Sequence, residues 1–255
     1  MKVTILGSGT STGVPRVGND WGECDPGEPR NRRSRVSIAI RTEDGQRILI
    51  DTSPDLRQQL LDNGIDRIDA VFWTHDHADH CHGIDDLRAL RYGRGGPIAG
   101  FAGDVTVQRL RRRFDYVFAG QFGYSTIVNL EPLDRLRMIC GLSVDWCEMP
   151  HGPVKSTAFR FDSNAGSVVY ATDFSEITTD MVAMMDGCDT LIVDCLRRDP
   201  HPTHAHLAMA LELARTVGAR RAVLTHLDKS MDYRTLCGEV PPNVEVGYDG
   251  MEIEI

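Results

Sequence analysis

The segment Thr74-His75-Asp76-His77-Ala78-Asp79-His80-Cys81-His82-Gly83 constrains this chain more than any other. It directly follows the apolar run Ala70 to Trp73 and holds four of the nine histidines within eight residues. A strand running out at His75 leaves His77, Asp79 and His80 on the next turn and first helical residues, where a tight loop can converge side chains on a small volume. Imidazole with carboxylate suits zinc, iron or manganese, because neutral nitrogen and hard oxygen donors match borderline divalent ions. The plain alternative, an exposed polar loop, explains a lone histidine but not this spacing behind a strand.

One ion needs about four ligands, and two need more than this motif supplies, so the metal reading requires partners further along the chain. Three residues qualify by position. His151 lies in Met149-Pro150-His151-Gly152 past an apolar strand, Asp173 closes Val168-Val169-Tyr170-Ala171-Thr172-Asp173, and His226 closes Ala222-Val223-Leu224-Thr225-His226. Each follows a strand and faces a loop, where ligands gather at one edge of a sheet. Singly, each is as well explained as a structural residue; the set together with the first motif is not.

Short β-branched runs recur at Val3 to Leu6, Val36 to Ile40, Ile48 to Ile50, Ala70 to Trp73, Val168 to Ala171, Leu191 to Val193, Ala222 to Leu224 and Met251 to Ile255, and read as strands. Between them lie helical patterns. Ser53 to Asp62 carries Leu56, Leu60 and Leu61 on one face, with Ser53 as N-cap and Pro54 at the first helical position, and a second pattern spans Leu207 to Val217. The expectation is an α/β chain of two β-rich halves covered by helices, one domain over residues 1–255. The 41% hydrophobic and 25% charged content is that of a folded protein, not a disordered one. Arg94-Gly95-Gly96-Pro97 and the segment Asp20 to Arg35 read as loops, the latter bordering the site.

Charge and cysteines narrow the setting. A net charge of -9 argues against strong nucleic-acid binding, whose affinity comes from cations that neutralise phosphates. Two arginine groups, Arg30, Arg32, Arg33 and Arg35, then Arg109, Arg111, Arg112 and Arg113, read as solvated faces or surface ion pairs. Seven cysteines without a C-x-x-C pair read as reduced thiols. No signal-peptide pattern follows Met1 and no apolar stretch of about 18 residues occurs, so the expected location is the cytoplasm, with no membrane partner. The loop Gly7-Ser8-Gly9-Thr10-Ser11-Thr12-Gly13 reads as a tight turn; the alternative is a pocket wall with Ser8, Ser11 or Thr12 near a phosphate.

With these residues in place, the chain resembles the metallo-β-lactamase superfamily, whose hallmark is His-x-His-x-Asp-His followed at a distance by His, Asp and His. The resemblance implies a fold of two β-sheets sandwiched between helices. It implies that His75, His77 and His151 hold one ion, that Asp79, His80 and His226 hold the other, and that Asp173 bridges them. Asp51, ending Ile48-Leu49-Ile50-Asp51, would orient a ligand histidine. Gly7 to Pro15, Asp194-Cys195 before His204, and Val246 to Ile253 look like the branch of phosphoribosyl cyclic phosphate phosphodiesterases and ribonuclease Z. The cysteine cluster of that branch's extra zinc site is reduced here to Cys24, and Leu227-Asp228-Lys229 follow the last ligand, which leaves that site incomplete. No insertion matches the long Gly- and Pro-rich arm with which ribonuclease Z grips tRNA, which speaks against precise tRNA processing.

His204, in Pro202-Thr203-His204-Ala205-His206, matches the branch's histidine near the phosphate and would stabilise charge or donate a proton; the plain alternative is a loop or helix-start histidine. His82, His201 and His206 are read as ordinary histidines because the ligand positions are already full. The expected activity is hydrolysis of a small phosphodiester by two divalent ions, zinc or manganese, with Asp79 accepting a hydrogen bond from the attacking water and His204 serving the departing oxygen. The alternatives are a thioester or lactone hydrolase of the same fold and a non-catalytic metal-binding sensor. Self-association as a homodimer is left open.

Overall fold

The computed structural model describes every residue except 93, 121, 122 and 124. Two seven-stranded sheets stand face to face. The first is built from β1 (Lys2–Gly7), β2 (Ser37–Arg41), β3 (Arg47–Ile50), β4 (Ala70–Trp73), β5 (Ile98–Ala102) and β6 (Val128–Pro132) in chain order. The second holds β7 (Met138–Ile139), β8 (Leu142–His151), β9 (Val154–Asp162), β10 (Ser167–Ala171), β11 (Thr190–Asp194), β12 (Arg221–Thr225) and β13 (Val244–Val246). The last strand, β14 (Glu252–Glu254), returns to the first sheet and pairs antiparallel with β1, Val3 opposite Ile253. In each sheet one side is parallel, β3 to β6 and β10 to β13, so several strands end at the same edge.

Both faces of each sheet are covered, which is why the central strands are continuous apolar runs. Ala70 and Phe72 of β4 point at the opposite sheet, whereas Val71 and Trp73 point at helices. On β10, Val168 and Tyr170 face inward and Val169 and Ala171 face the other helical layer. Phe72 centres the inter-sheet core, its ring 5.2 Å from Phe101 and Phe159 and 5.3 Å from Phe161. Such aromatic pairs each contribute about 0.5–1.5 kcal/mol beyond the area they bury. The outer layers are α1 (Leu56–Asp62), α3 (Leu87–Arg91), α4 (Asp104–Arg113) and α5 (Asp115–Ala119) on the first sheet, and α6 (Thr179–Met185), α7 (Leu207–Thr216) and α8 (Tyr233–Cys237) on the second; α2 (Ala78–Cys81) is one turn at the sheet edge. This is the expected sandwich of two sheets between helices.

Two local readings change. Helix α1 starts at Leu56, because the Ser53 carbonyl accepts from the Leu56 amide at 3.0 Å and the Ser53 hydroxyl accepts from the Asp55 amide at 3.1 Å, which makes Pro54 and Asp55 a turn. Leu61 is 59% exposed, and Gln59 points inward in its place. The Gln59 amide donates to the Arg35 carbonyl at 2.7 Å and to Ser34 Oγ at 2.8 Å, satisfying loop acceptors that no strand reaches. Arg33, read as part of a solvated run, is 2% exposed. Its guanidinium donates to the Met231 carbonyl at 2.7 Å and the Asp228 carbonyl at 3.3 Å, tying the loop before β2 to the segment after His226. Among the described residues, no helix is long and apolar enough to cross a membrane.

Candidate metal centre

The site forms where strand ends meet. Asp51 follows β3, the histidine motif follows β4, His151 ends β8, Asp173 lies just past β10, Asp194 ends β11, and His226 follows β12. The two sheets are stitched together here by the Thr157 amide, which donates to the Thr74 carbonyl at 2.9 Å, and within the second sheet Ser156 Oγ donates to the Asp173 carbonyl at 2.6 Å. Asp51, Asp173 and His226 have φ of 64°, 61° and 60°, in the left-handed region. For a residue with a Cβ that conformation costs roughly 1–2 kcal/mol and persists only where surrounding contacts impose it. It turns the chain sharply off each strand and aims these side chains back across the sheet edge.

The Asp173 carboxylate divides the site. Its Oδ2 is 3.7 Å from His75 Nε2 and 3.4 Å from His151 Nε2, while its Oδ1 is 3.3 Å from His80 Nε2 and 3.6 Å from His226 Nε2. His77 Nδ1 is 3.3 Å from His151 Nε2 on the first side. On the second, Asp79 Oδ2 is 3.4 Å from His80 Nε2 and 3.6 Å from His226 Nε2. Donor atoms about 2.0–2.2 Å from a shared tetrahedral ion stand roughly 3.3–3.6 Å apart, so the spacing suits two ions with Asp173 between them. The Nε2 atoms of His75, His80 and His226 are buried without a hydrogen-bond partner, a costly arrangement that a bound cation relieves. Five imidazoles and two carboxylates form a donor set for borderline divalent ions. All seven residues singled out in the sequence as ligands converge on this one volume.

A second ring of contacts orients the donors. His80 Nδ1 is 2.7 Å from Asp51 Oδ2, His75 Nδ1 is 3.0 Å from Thr74 Oγ1, and His151 Nδ1 is 2.7 Å from the Thr203 carbonyl. Each leaves Nε2 facing the centre. Asp51 is itself held by Thr74, whose amide and hydroxyl both donate to it at 2.8 Å.

Without metal, the two sides differ in charge. Burial, with His80 nearby, holds the His75 pKa well below the ordinary imidazole value, and burial also lowers that of His151. Burial opposes charge on His80 and His226 too, but it is outweighed there: Asp173, Asp79 and Asp51 push His80 well up, and Asp173 and Asp79 raise His226 to about 9. Burial works against ionised Asp79, yet His80 and His226 hold its pKa well below the usual carboxylate range.

His204 stands at the rim of this centre. Its ring stacks on His226 at 4.8 Å with 14° between planes and lies 4.8 Å from His151. Its Nδ1 is 3.2 Å from Asp194 Oδ2, which leaves Nε2 directed away from that carboxylate. Asp194 was not singled out as a site residue. It is fully buried, its Oδ2 also accepts from the Ala205 amide at 3.2 Å, and its Oδ1 is 3.5 Å from His226 Nδ1. The available signal was its place at the end of an apolar run, like Asp51 and Asp173. His201 packs 5.2 Å from His204, His82 is exposed against Phe114, and His206 precedes α7. In the loop after β1, the Ser8 hydroxyl donates to Asp249 Oδ1 at 2.8 Å, so this serine serves the fold.

Residues 46–227 match the family model of the beta-lactamase superfamily domain. Over 258 aligned residues the chain is 34% identical to an octanoyltransferase of Porphyromonas gingivalis strain W83, an alignment covering 99% of this chain and 51% of that protein. The chain therefore spans about half the length of that relative. A crystal structure of a diphosphatase from the PhnP family superposes with a TM-score of 0.90 at 34% identity, covering 100% of this chain and 96% of the other. Zinc-bound PqqB from Methylobacterium extorquens superposes with a TM-score of 0.79 at 21% identity, covering 100% of both chains, and shares the fold.

Proposed function

Because the chain belongs to the metallo-β-lactamase superfamily, in the branch that includes the PhnP family, we propose that it is a dinuclear metal-dependent hydrolase of small phosphodiesters. His75, His77 and His151 would hold one ion and Asp79, His80 and His226 the other, with Asp173 shared. The donor set and the zinc-bound relative of the same fold favour zinc, with manganese the other candidate. Two bound divalent ions supply Lewis-acid polarisation of a phosphoryl oxygen and water acidified to a pKa of about 7.

The chain's own residues do the rest. Asp79 would accept a hydrogen bond from the attacking water and orient it. Asp194, bonded to His204 Nδ1, sets the ring so that Nε2 can give a proton to the departing oxygen or stabilise its charge. This placement of His204 against both the ligand cluster and a buried carboxylate carries the phosphodiester reading, because an alkoxide leaves slowly unless it is protonated.

The diphosphatase likeness favours a second reading, hydrolysis of a phosphoanhydride. The two separate in one assay set. The purified protein is offered a cyclic phosphodiester, bis-p-nitrophenyl phosphate, a nucleoside diphosphate and an acyl thioester. Turnover of the two diesters supports the proposal, preference for the diphosphate supports the anhydride reading, and turnover of the thioester alone overturns both. His204→Ala should keep both ions and lose on the order of 10²- to 10⁴-fold in rate on the unactivated diester. If proton donation is its role, the loss is smaller on the p-nitrophenyl ester. An unchanged rate on the unactivated diester removes His204 from the mechanism.

A further inference from the structure

The arginines of α4 read as a solvated face or surface ion pairs, and two of them form ion pairs with the histidine motif. Asp76 sits between His75 and His77, and its carboxylate meets two arginines of α4. Arg109 Nη1 donates to Asp76 Oδ1 at 3.0 Å, and Arg113 Nη2 donates to Asp76 Oδ2 at 2.9 Å. Arg113 Nη1 also donates to the Asp76 main-chain carbonyl at 2.5 Å, which receives the Cys81 thiol at 3.4 Å as well. The acceptor is buried, its side chain 8% exposed, while the arginines are 47% and 41% exposed. Residues 109 and 113 lie one helical turn apart, so a single face of α4 presents both guanidinium groups to one carboxylate.

We infer that Arg109 and Arg113 are positioning residues that clamp the His75–His77 segment through Asp76, holding the donor angles of the first half-site from outside the cleft. The segment from Thr74 to His77 is neither strand nor helix; Thr74 is fixed by Asp51 and the Thr157 amide, whereas His77 at its far end is exposed, so the grip on Asp76 is what restrains the peptide between the two histidines from the α4 side. A planar guanidinium that grips a carboxylate oxygen and the adjoining carbonyl together restrains the peptide between the two histidines in both rotation and translation. Lysine, a single point donor, cannot make both contacts. The clamp touches the loop between the first half-site's ligands and, through Cys81 Sγ 3.6 Å from Arg113 Nη1, the end of the turn after it, but neither His226 nor Asp173. Its effect is therefore larger on the ion held by His75, His77 and His151.

The inference rests on the reading of those three histidines as one ion's ligands, and the test separates the two. Zinc affinity is measured by chelator competition for the wild type, Arg113→Met, Arg113→Lys and Asp76→Asn, each also in the His226→Ala background, where only the first half-site keeps its histidines. Amide hydrogen exchange of residues 74–81 is followed in the metal-free proteins. The expected result is a 10- to 100-fold affinity loss for Arg113→Met in that background, as for other residues that orient metal ligands. The lysine variant should recover part of the loss, and exchange at 74–81 should quicken in the metal-free variant. Wild-type protein that binds neither zinc nor manganese would overturn the metal reading itself. Wild-type binding of two ions, with Arg113→Met equal in first-site affinity and loop exchange and merely lower in Tm, would overturn the clamp alone. Should Arg113→Met fail to fold, Asp76→Asn carries the same comparison, since it removes the charge and one of the two acceptor oxygens that the arginines share while keeping the side chain's size.

Discussion

The two halves of the candidate centre are built from the same residue types and are prepared differently. Around His75, His77 and His151 the orienting groups are a threonine hydroxyl, a main-chain carbonyl and the Asp76 loop, and burial keeps His75 and His151 neutral. Around Asp79, His80 and His226 the orienting groups are the buried carboxylates Asp51 and Asp194, and the imidazoles are driven toward the charged form. In the first half, His75 and His151 are neutral donors open to a cation. The second, without metal, neutralises itself through ion pairs between its own ligands. Location on a sheet edge thus fixes which atoms meet, while the carboxylates behind them set how costly it is to admit an ion.

The most damaging change to this arrangement is at the residue common to both halves. Asp173→Ala should take metal content well below two ions per chain by elemental analysis and lower the rate by on the order of 10³-fold or more, since Lewis-acid stabilisation is worth several kcal/mol. A variant within twofold of wild type would mean that Asp173 bridges nothing. Next in size, His151→Ala and His226→Ala should each leave about one ion per chain; if either removes both, the halves are one cooperative unit and the contrast fails.

Smaller effects sharpen the comparison. Asp194→Asn should weaken the ion held by His226 by about 10- to 100-fold and also reduce turnover through His204, whereas the first ion's affinity stays near wild type. Equal weakening of both ions would show that Asp194 supports the whole edge and not one half. The smallest effect is in protons. His226, raised from 6.5 to about 9, stabilises the metal-free fold fully below 6.5 and loses that contribution as pH rises through about 9. Since a ligand imidazole must be neutral, loading the second half near pH 7 should release protons and tighten as pH rises toward 9, while the first half shows little dependence. Calorimetry in buffers of different ionisation enthalpy measures the release; equal release from both halves contradicts the charge difference.

Much of this was legible before folding. Strands show in the sequence because burial on both sides demands continuous apolar runs, and a polar residue ending such a run is conspicuous, as His75, Asp173 and His226 are. Asp194 ends its run in the same way and carries the family resemblance without a site role, since nothing local marks which histidine it will meet. Helix α1 was misread at its start and on its outer face for a related reason. Leucine spacing places Leu61 inside, but Gln59 goes there, because the loop carbonyl of Arg35 needs a donor that a leucine lacks and the Gln59 amide supplies.

By itself, the sequence carried the strand runs, the helical patterns between them and the seven ligand candidates, because apolar period and ligand spacing are written in neighbouring residues, while the two-sheet sandwich came with the family resemblance. Only the tertiary structure decided that the Asp173 oxygens face different histidine groups, that Arg33 is buried, and that Arg109 and Arg113 turn inward to Asp76. A charged side chain leaves water only where distant segments bring it a counter-group. For Arg33 these are the carbonyls of Asp228 and Met231, nearly two hundred residues away. That pairing depends on how the two sheets pack, which no single stretch of the chain contains.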